Sequence, residues 1–482
     1  MSHRYSALRS LSLILLLLAA PGLIVPPASA THRLAIQDFT YLGAFRLPGD
    51  ETRPRTFAYG GNAMTFNPHG EPQGPADWFP GSLFVMGHDR MPYGELPDGN
   101  QVAEISIPVP VATRSVGRLN QAKFLQPFRE VARGLLTTLD EIPVVGMAYL
   151  NHPATGPKIH IGWGQHLQED DATQVPSHGW LDIDLAHPNP KGFWYIGHQS
   201  PYSVNDYLFA IPPTWADKYA DGRYLATGRY RSGGWSGQGP ALFAYRPWRD
   251  TAGTPAAPGS RLAETVLLRY ENSTNSEDTV SRALRGYQHA DEWSGGAWIT
   301  TADGRSAVLF AGTKGTGTKY WYGFINVRGP EYPCVDPHVT DFVTCRLANG
   351  AACPTEDFAG CCDEVLGNCA SHRGWWSTRF DAQFILYDPA DLARVAAGTL
   401  ESWQPQPYAT VDIDRYLYLN PPAGEEIVVG AGDQRRYRVG DVAYDRAHNL
   451  LYVLEPLADG GKPVVHVWRI GDGGTVTSIP DQ

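Results

Sequence analysis

The chain has 482 residues, a formal net charge of −11, 18% charged and 43% hydrophobic residues. That balance argues against a general binder of nucleic acid or anionic membrane and against long disorder. With 51 glycines, 39 prolines and 11% aromatic residues, it reads as a turn-rich β protein.

Residues 1–30 carry Arg4 and Arg9, then an apolar run over 11–25, then Ala-Ser-Ala at 28–30. This is the pattern of a secretory signal peptide cleaved after Ala30, which predicts an extracellular or periplasmic protein. No later run is long and apolar enough for membrane insertion.

Residues 40–48 (TYLGAFRLP) form the first β-like run of the mature chain. Twenty runs are needed for five cycles of four strands, and nineteen follow it. The first class is 62–68, 144–150, 205–211, 295–301 and 439–445; the second is 82–88, 158–164, 223–229, 306–312 and 449–455. The third is 102–108, 179–185, 241–247, 383–389 and 464–470; the fourth is 123–128, 192–197, 265–270 and 407–413, one short. Run 40–48 supplies the missing member. The expectation is an all-β, five-bladed β-propeller of four-stranded blades over 31–482, its N-terminal strand closing the last blade. A sandwich or a six-bladed count is the alternative. One helix is predicted, over 388–398 (DPADLARVAAG), ended by its glycine.

Cys334, Cys345, Cys353, Cys361, Cys362 and Cys369 all fall in the connection between the second and third runs of the fourth cycle. An even, clustered set in an exported chain predicts up to three disulfides in an insertion over 326–376. A zinc site using His338 or His372 is the rival, without the usual Cys-x₂-Cys spacing.

Connections entering the first strands and joining second to third strands total roughly twice the length of the others. In a propeller they share one face, and long loops on a rigid scaffold are where function concentrates. Residues at that inner rim are the candidates. His88, Asp89, His289, Glu292 and Tyr437 are the catalytic candidates, as proton carriers and paired acids. Asp291 is a further carboxylate at the same rim. Arg55, Tyr59, His166, His198, Arg231, Trp235, Lys314 and Arg438 are candidates for orienting or stacking on substrate. Glycoside hydrolysis needs two carboxyls across the bond, whereas uronic-acid elimination needs a base with cations neutralising the sugar carboxylate. The rim holds both sets. No cofactor is required. Glu169-Asp170-Asp171 reads as a solvated charge run, with a structural calcium site as the alternative. Any catalytic metal is left unassigned.

Segments 41–48 (YLGAFRLP), 59–68 (YGGNAMTFNP), 82–88 with 102–108, 387–408 and 441–455 resemble a group of secreted bacterial β-propeller proteins to which no activity is assigned. The resemblance spans nearly the whole mature chain and implies the fold. More distantly, the five-bladed count is similar to that of arabinanase- and invertase-type glycosidases. Their catalytic aspartate motif is not matched, so no residue role carries over. The leading expectation is an exported enzyme cleaving a poly- or oligosaccharide, as hydrolase or lyase. A non-catalytic propeller binding a glycan or protein is the alternative, and a metal-dependent lactonase or phosphoesterase is the third reading.

Overall fold

A computed structural model describes residues 32–49, 52–71, 78–87, 101–135, 145–164, 175–200, 203–204, 206–231, 237–271, 282–317, 320–325, 333–334, 374–377, 379–422 and 438–471. Strand β1 (Phe39–Arg46) precedes blade 1, which holds β2 (Met64–Asn67), β3 (Ser82–Met86), β4 (Gln101–Ser106) and β5 (Phe124–Glu130). Blade 2 holds β6 (Val145–His152), β7 (Gly156–Trp163), β8 (His178–Asp182) and β9 (Lys191–Ile196). Blade 3 holds β10 (Tyr207–Ala210), helix α1 (Pro213–Tyr219), β11 (Leu225–Gly228), β12 (Leu242–Tyr245), the short β13 (Arg261–Leu262) and β14 (Thr265–Leu268). Blade 4 holds β15 (Glu292–Thr300), β16 (Ser306–Gly315), an insertion with β17 (Tyr320–Ile325), β18 (Pro333–Cys334) and β19 (Gly374–Ser377), then β20 (Phe380–Tyr387), helix α2 (Pro389–Ala396) and β21 (Ala409–Asp412). Blade 5 holds β22 (Val442–Asp445), β23 (Leu450–Asp459) and β24 (Lys462–Ile470).

The sheets are antiparallel meanders, and the chain folds as a five-bladed β-propeller. β1 pairs with β24, giving the last sheet the order β1-β24-β23-β22. The inner strands contact one another in a ring, β2 on β6, β6 on β10, β10 on β15, β15 on β22 and β22 on β2.

Strand periodicity explains the ring. Side chains alternate between the two faces of a strand, and each blade is covered on both faces. In β3, Leu83 and Val85 join a core with Tyr452 and Val465 of blade 5. Their neighbours Phe84 and Met86 join one with Met147 and Ile161 of blade 2. In β16, Val308 and Phe310 pack with Tyr207 and Leu242 of blade 3, whereas Leu309 and Ala311 pack with Val442 and Val453 of blade 5. Blades 2 and 3 are joined through Trp180, Trp194, Leu225 and Phe243. Each seam thus has its own apolar cluster, and middle strands read as continuous apolar runs because both faces are buried.

Three departures from expectation have local causes. Blade 2 is extended by β13, which crosses from the β12–β14 connection and pairs parallel with β9. Helix α1 lies in the β10–β11 connection; at seven residues it is too short to show a helical period, although Pro213 occupies its first turn, where no N–H is needed. α2 forms where expected, and Asp388 accepts a capping bond from Ala390 N at 2.8 Å. The insertion carries the small sheet β18-β17-β19. Five of the six cysteines lie outside the described residues, as does Glu169-Asp170-Asp171.

Candidate functional site

The long-connection rim is described best on blades 3 to 5. There the chain enters β15 through Gln288-His289-Ala290-Asp291 and enters β22 through Arg438-Val439-Gly440-Asp441. Trp293 N donates to Tyr230 O at 2.7 Å, which ties this entry to the segment after β11. Trp293 itself is fully buried in the blade 3–4 core, so its ring serves packing.

Five expected residues lie here. Glu292, which opens β15, pairs with Arg438 Nη1 at 3.8 Å across the blade 4–5 seam. Lys314, at the end of β16, sits 2.9 Å from Asp291 Oδ1. The same Asp291 oxygen accepts from Gly315 N at 2.9 Å, and Oδ2 accepts from Gln288 N at 3.1 Å. Burial pushes the Asp291 carboxyl up, and Lys314 with these N–H groups pulls it part of the way back. Lys314 is therefore committed to a buried carboxylate. His289 is only 5% exposed, and burial lowers its pKa to about 4, so its imidazole is neutral near pH 7.

Beside them, Ser377 Oγ donates to Gln288 Oε1 at 2.7 Å, and Gln288 Nε2 donates to Gly317 O at 2.7 Å. These bonds tie the β15 entry to the end of β19. Arg231 lies on this side of blade 3, its guanidinium 4.9 Å from the Tyr230 ring centre.

The other described candidates belong to the connections before blade 1 and after blade 2. Arg55 is exposed on the turn before β2. Tyr59, in a left-handed conformation with φ 59°, donates through its N–H to Gly461 O at 2.6 Å and packs against Leu419 and Leu457 of blade 5. His198 is exposed after β9. His88, Asp89, His166, Trp235 and Tyr437 lie outside the described residues.

Two acids were not singled out as site residues by sequence reasoning. Asp206 and Asp441 each immediately precede an inner strand, and neither is exposed to solvent. Asp206 Oδ2 accepts from Tyr230 N at 3.0 Å. Asp441 Oδ2 accepts from Met64 N of blade 1 at 2.9 Å, and its Oδ1 from Val442 N at 2.8 Å. Burial raises the Asp441 pKa well above the ordinary carboxylate range, and these two N–H groups offset only part of that rise. The recurrence of Asp before an inner strand, in NDYLFA and GDVAYD, was the readable signal.

Among the described residues, no group of three or more His, Cys, Asp or Glu is arranged to hold a metal ion. No helix among them is long and apolar enough to cross a membrane. No protein-family model and no curated protein matches the chain.

Proposed function

We propose that the chain is an exported glycan-active hydrolase working at the rim where blades 4 and 5 meet. The observation that carries this reading is the pair of unlike carboxyls at adjoining strand entries. Glu292 pairs with the Arg438 guanidinium at 3.8 Å. Asp441 is wholly buried with backbone N–H partners and is held protonated by desolvation. Glycosidic hydrolysis uses one carboxyl as acid and one as base or nucleophile, with pKa values set apart by environment. In this assignment Asp441 supplies the proton and Glu292 acts as the carboxylate. Neutral His289 and the Tyr230–Arg231 pair line the approach.

The elimination reading is weaker on the same geometry. It needs cations to neutralise a uronate, and two of the rim's candidates are engaged, Lys314 by Asp291 and Arg438 by Glu292. The Cys-rich insertion, joined to the rim through Ser377 and Gln288, is read as a wall of this site. β1 is read as the strand that closes the ring.

The test is the mass of products after incubation with a broad polysaccharide panel. Fragments carrying one added water, lost in both Glu292→Gln and Asp441→Asn with the fold intact, support hydrolysis here. Unsaturated fragments without added water would replace it with a lyase. No cleavage by folded protein, with retention on a glycan column, would replace it with a binding propeller.

A further inference from the structure

At the opposite end of the propeller axis, where inner strands turn back into second strands, the structure holds a cavity of about 290 Å³. All five blades contribute to its wall, through Thr65, Tyr149, Phe209, Trp298, Tyr444 and Arg446 among others. At the ~30 Å³ a liquid water molecule occupies, it has room for on the order of ten non-hydrogen atoms. This site is independent of the rim on blades 4 and 5 and does not rest on the proposed hydrolysis.

One polar group in that largely carbon wall is incompletely used. Arg446 is exposed in the β22–β23 turn and donates through Nη2 to Trp298 O at 3.2 Å, with its guanidinium 5.8 Å from the Tyr444 ring centre. Among the described residues it has no carboxylate partner. Its neighbour Asp445 is already engaged, accepting from Ala447 N at 2.9 Å and lying 2.7 Å from His448 Nδ1.

We propose that this axial cavity binds a small monocarboxylate with an apolar or aromatic body. The carboxylate sits on the Arg446 guanidinium, whose planar fork suits two parallel N–H···O bonds. The body packs against Phe209 and Trp298. One uncommitted guanidinium and a mainly apolar wall select against dianions and against sugars, whose many hydroxyls would lose their water without replacement.

The experiment uses the full chain with benzoate, phenylacetate and butyrate as probes and benzyl alcohol as the uncharged control. Binding is read by saturation-transfer NMR and calorimetry, with folding checked by circular dichroism. At least one carboxylate is expected to bind saturably. Benzyl alcohol and the Arg446→Met variant should each be weaker by roughly tenfold or more, the loss expected for a charged hydrogen bond. Ala210→Leu, which narrows the cavity without touching that guanidinium, should abolish binding and serves if Arg446→Met does not fold. Failure of all three carboxylates to bind folded protein would overturn the proposal, as would binding unchanged by Arg446→Met or by Ala210→Leu.

Discussion

Lys314 Nζ lies 2.9 Å from Asp291 Oδ1, and the Asp291 side chain has no exposure to solvent while that of Lys314 has 13%. Sequence alone placed Lys314 in a glycine-rich turn where a cation could reach for substrate. The geometry instead spends its charge on a carboxylate that burial penalises. Lys314→Met should strand that carboxylate and cost about 3–5 kcal/mol, the usual consequence of breaking a buried pair from one side. Lys314→Met with Asp291→Asn should recover most of the loss. Urea denaturation of the single and double variants measures both, and a single variant within 1 kcal/mol of wild type would return Lys314 to the list of substrate contacts.

Asp414 gives a pH dependence with a defined sign. It follows β21, accepts from Ala382 N at 2.6 Å, and has a pKa raised to about 6 by burial, with further repulsion from Asp412 and Asp381. A carboxyl that holds its proton more tightly when folded contributes stability that is present below its ordinary pKa. That contribution is lost as pH rises from about 4 through about 6. Asp414→Asn should therefore flatten the stability profile across that window and gain about 1 kcal/mol at pH 7, discounted because the group is only half-buried. Parallel urea midpoints between pH 4 and 7.5 would show it; identical slopes would mean that Asp414 titrates normally.

The propeller was legible because its signal is carried by strand length and alternation, repeated five times. Runs such as 306–312 and 449–455 fall inside β16 and β23, whose alternating side chains serve two seams at once. The helix α2 was legible through its Asp388 cap and terminal glycine, whereas α1 follows Pro212, which makes no side-chain cap bond, and ends on Ala220. Site chemistry was less legible, because rim position says nothing about partners. His289 and Glu292 were named from position, but the strand entry that carries them is held by Tyr230, which accepts from Trp293 N, and by Arg438, which pairs with Glu292, segments distant in sequence. Asp441 was placed at the rim but given no role, because a single aspartate at the start of a strand looks like an ordinary turn residue. Only its placement against Met64 of the first blade distinguishes it.

Blade 5 contains a buried polar chain that holds β1. Tyr41 Oη of β1 and His466 Nδ1 of β24 are 3.0 Å apart, and His466 Nε2 is 2.8 Å from Glu455 Oε2 of β23. Glu455 also accepts from Tyr418 N at 2.9 Å and from Leu419 N at 2.7 Å, and neither Glu455 nor His466 is exposed. Glu455→Ala would leave two backbone N–H groups and one imidazole face unpaired at once. The expected cost is at least 3 kcal/mol, counting about 1–3 kcal/mol for each stranded group. Because β1 covers the edge of β24, loosening it should also expose an unpaired strand edge and promote aggregation. Limited proteolysis before residue 50 and light scattering would detect this. Wild-type resistance in Glu455→Ala would mean that backbone pairing alone holds the strand.

The inner ring is tightest where glycine replaces a side chain, and this gives a paired prediction. A Cβ on Gly146 of β6 would lie 2.8 Å from the carbonyl carbon of Tyr207 and 3.0 Å from Leu208 N, both backbone atoms of β10 in the next blade. Neither can move aside without shifting an inner strand that is itself packed against β15. Gly117, in the helical turn Val116–Arg118, has nothing within 4 Å and no left-handed φ. Gly146→Ala should therefore destabilise by about 1–3 kcal/mol through overpacking. Gly117→Ala should be neutral or gain up to about 1 kcal/mol by restricting the unfolded chain. Because both changes add one methyl group and remove similar backbone freedom from the unfolded state, the difference between them isolates the inter-blade contact. Equal urea midpoints for the two variants would mean that the inner strands have slack, and that their close approach is not what sets the diameter of the ring.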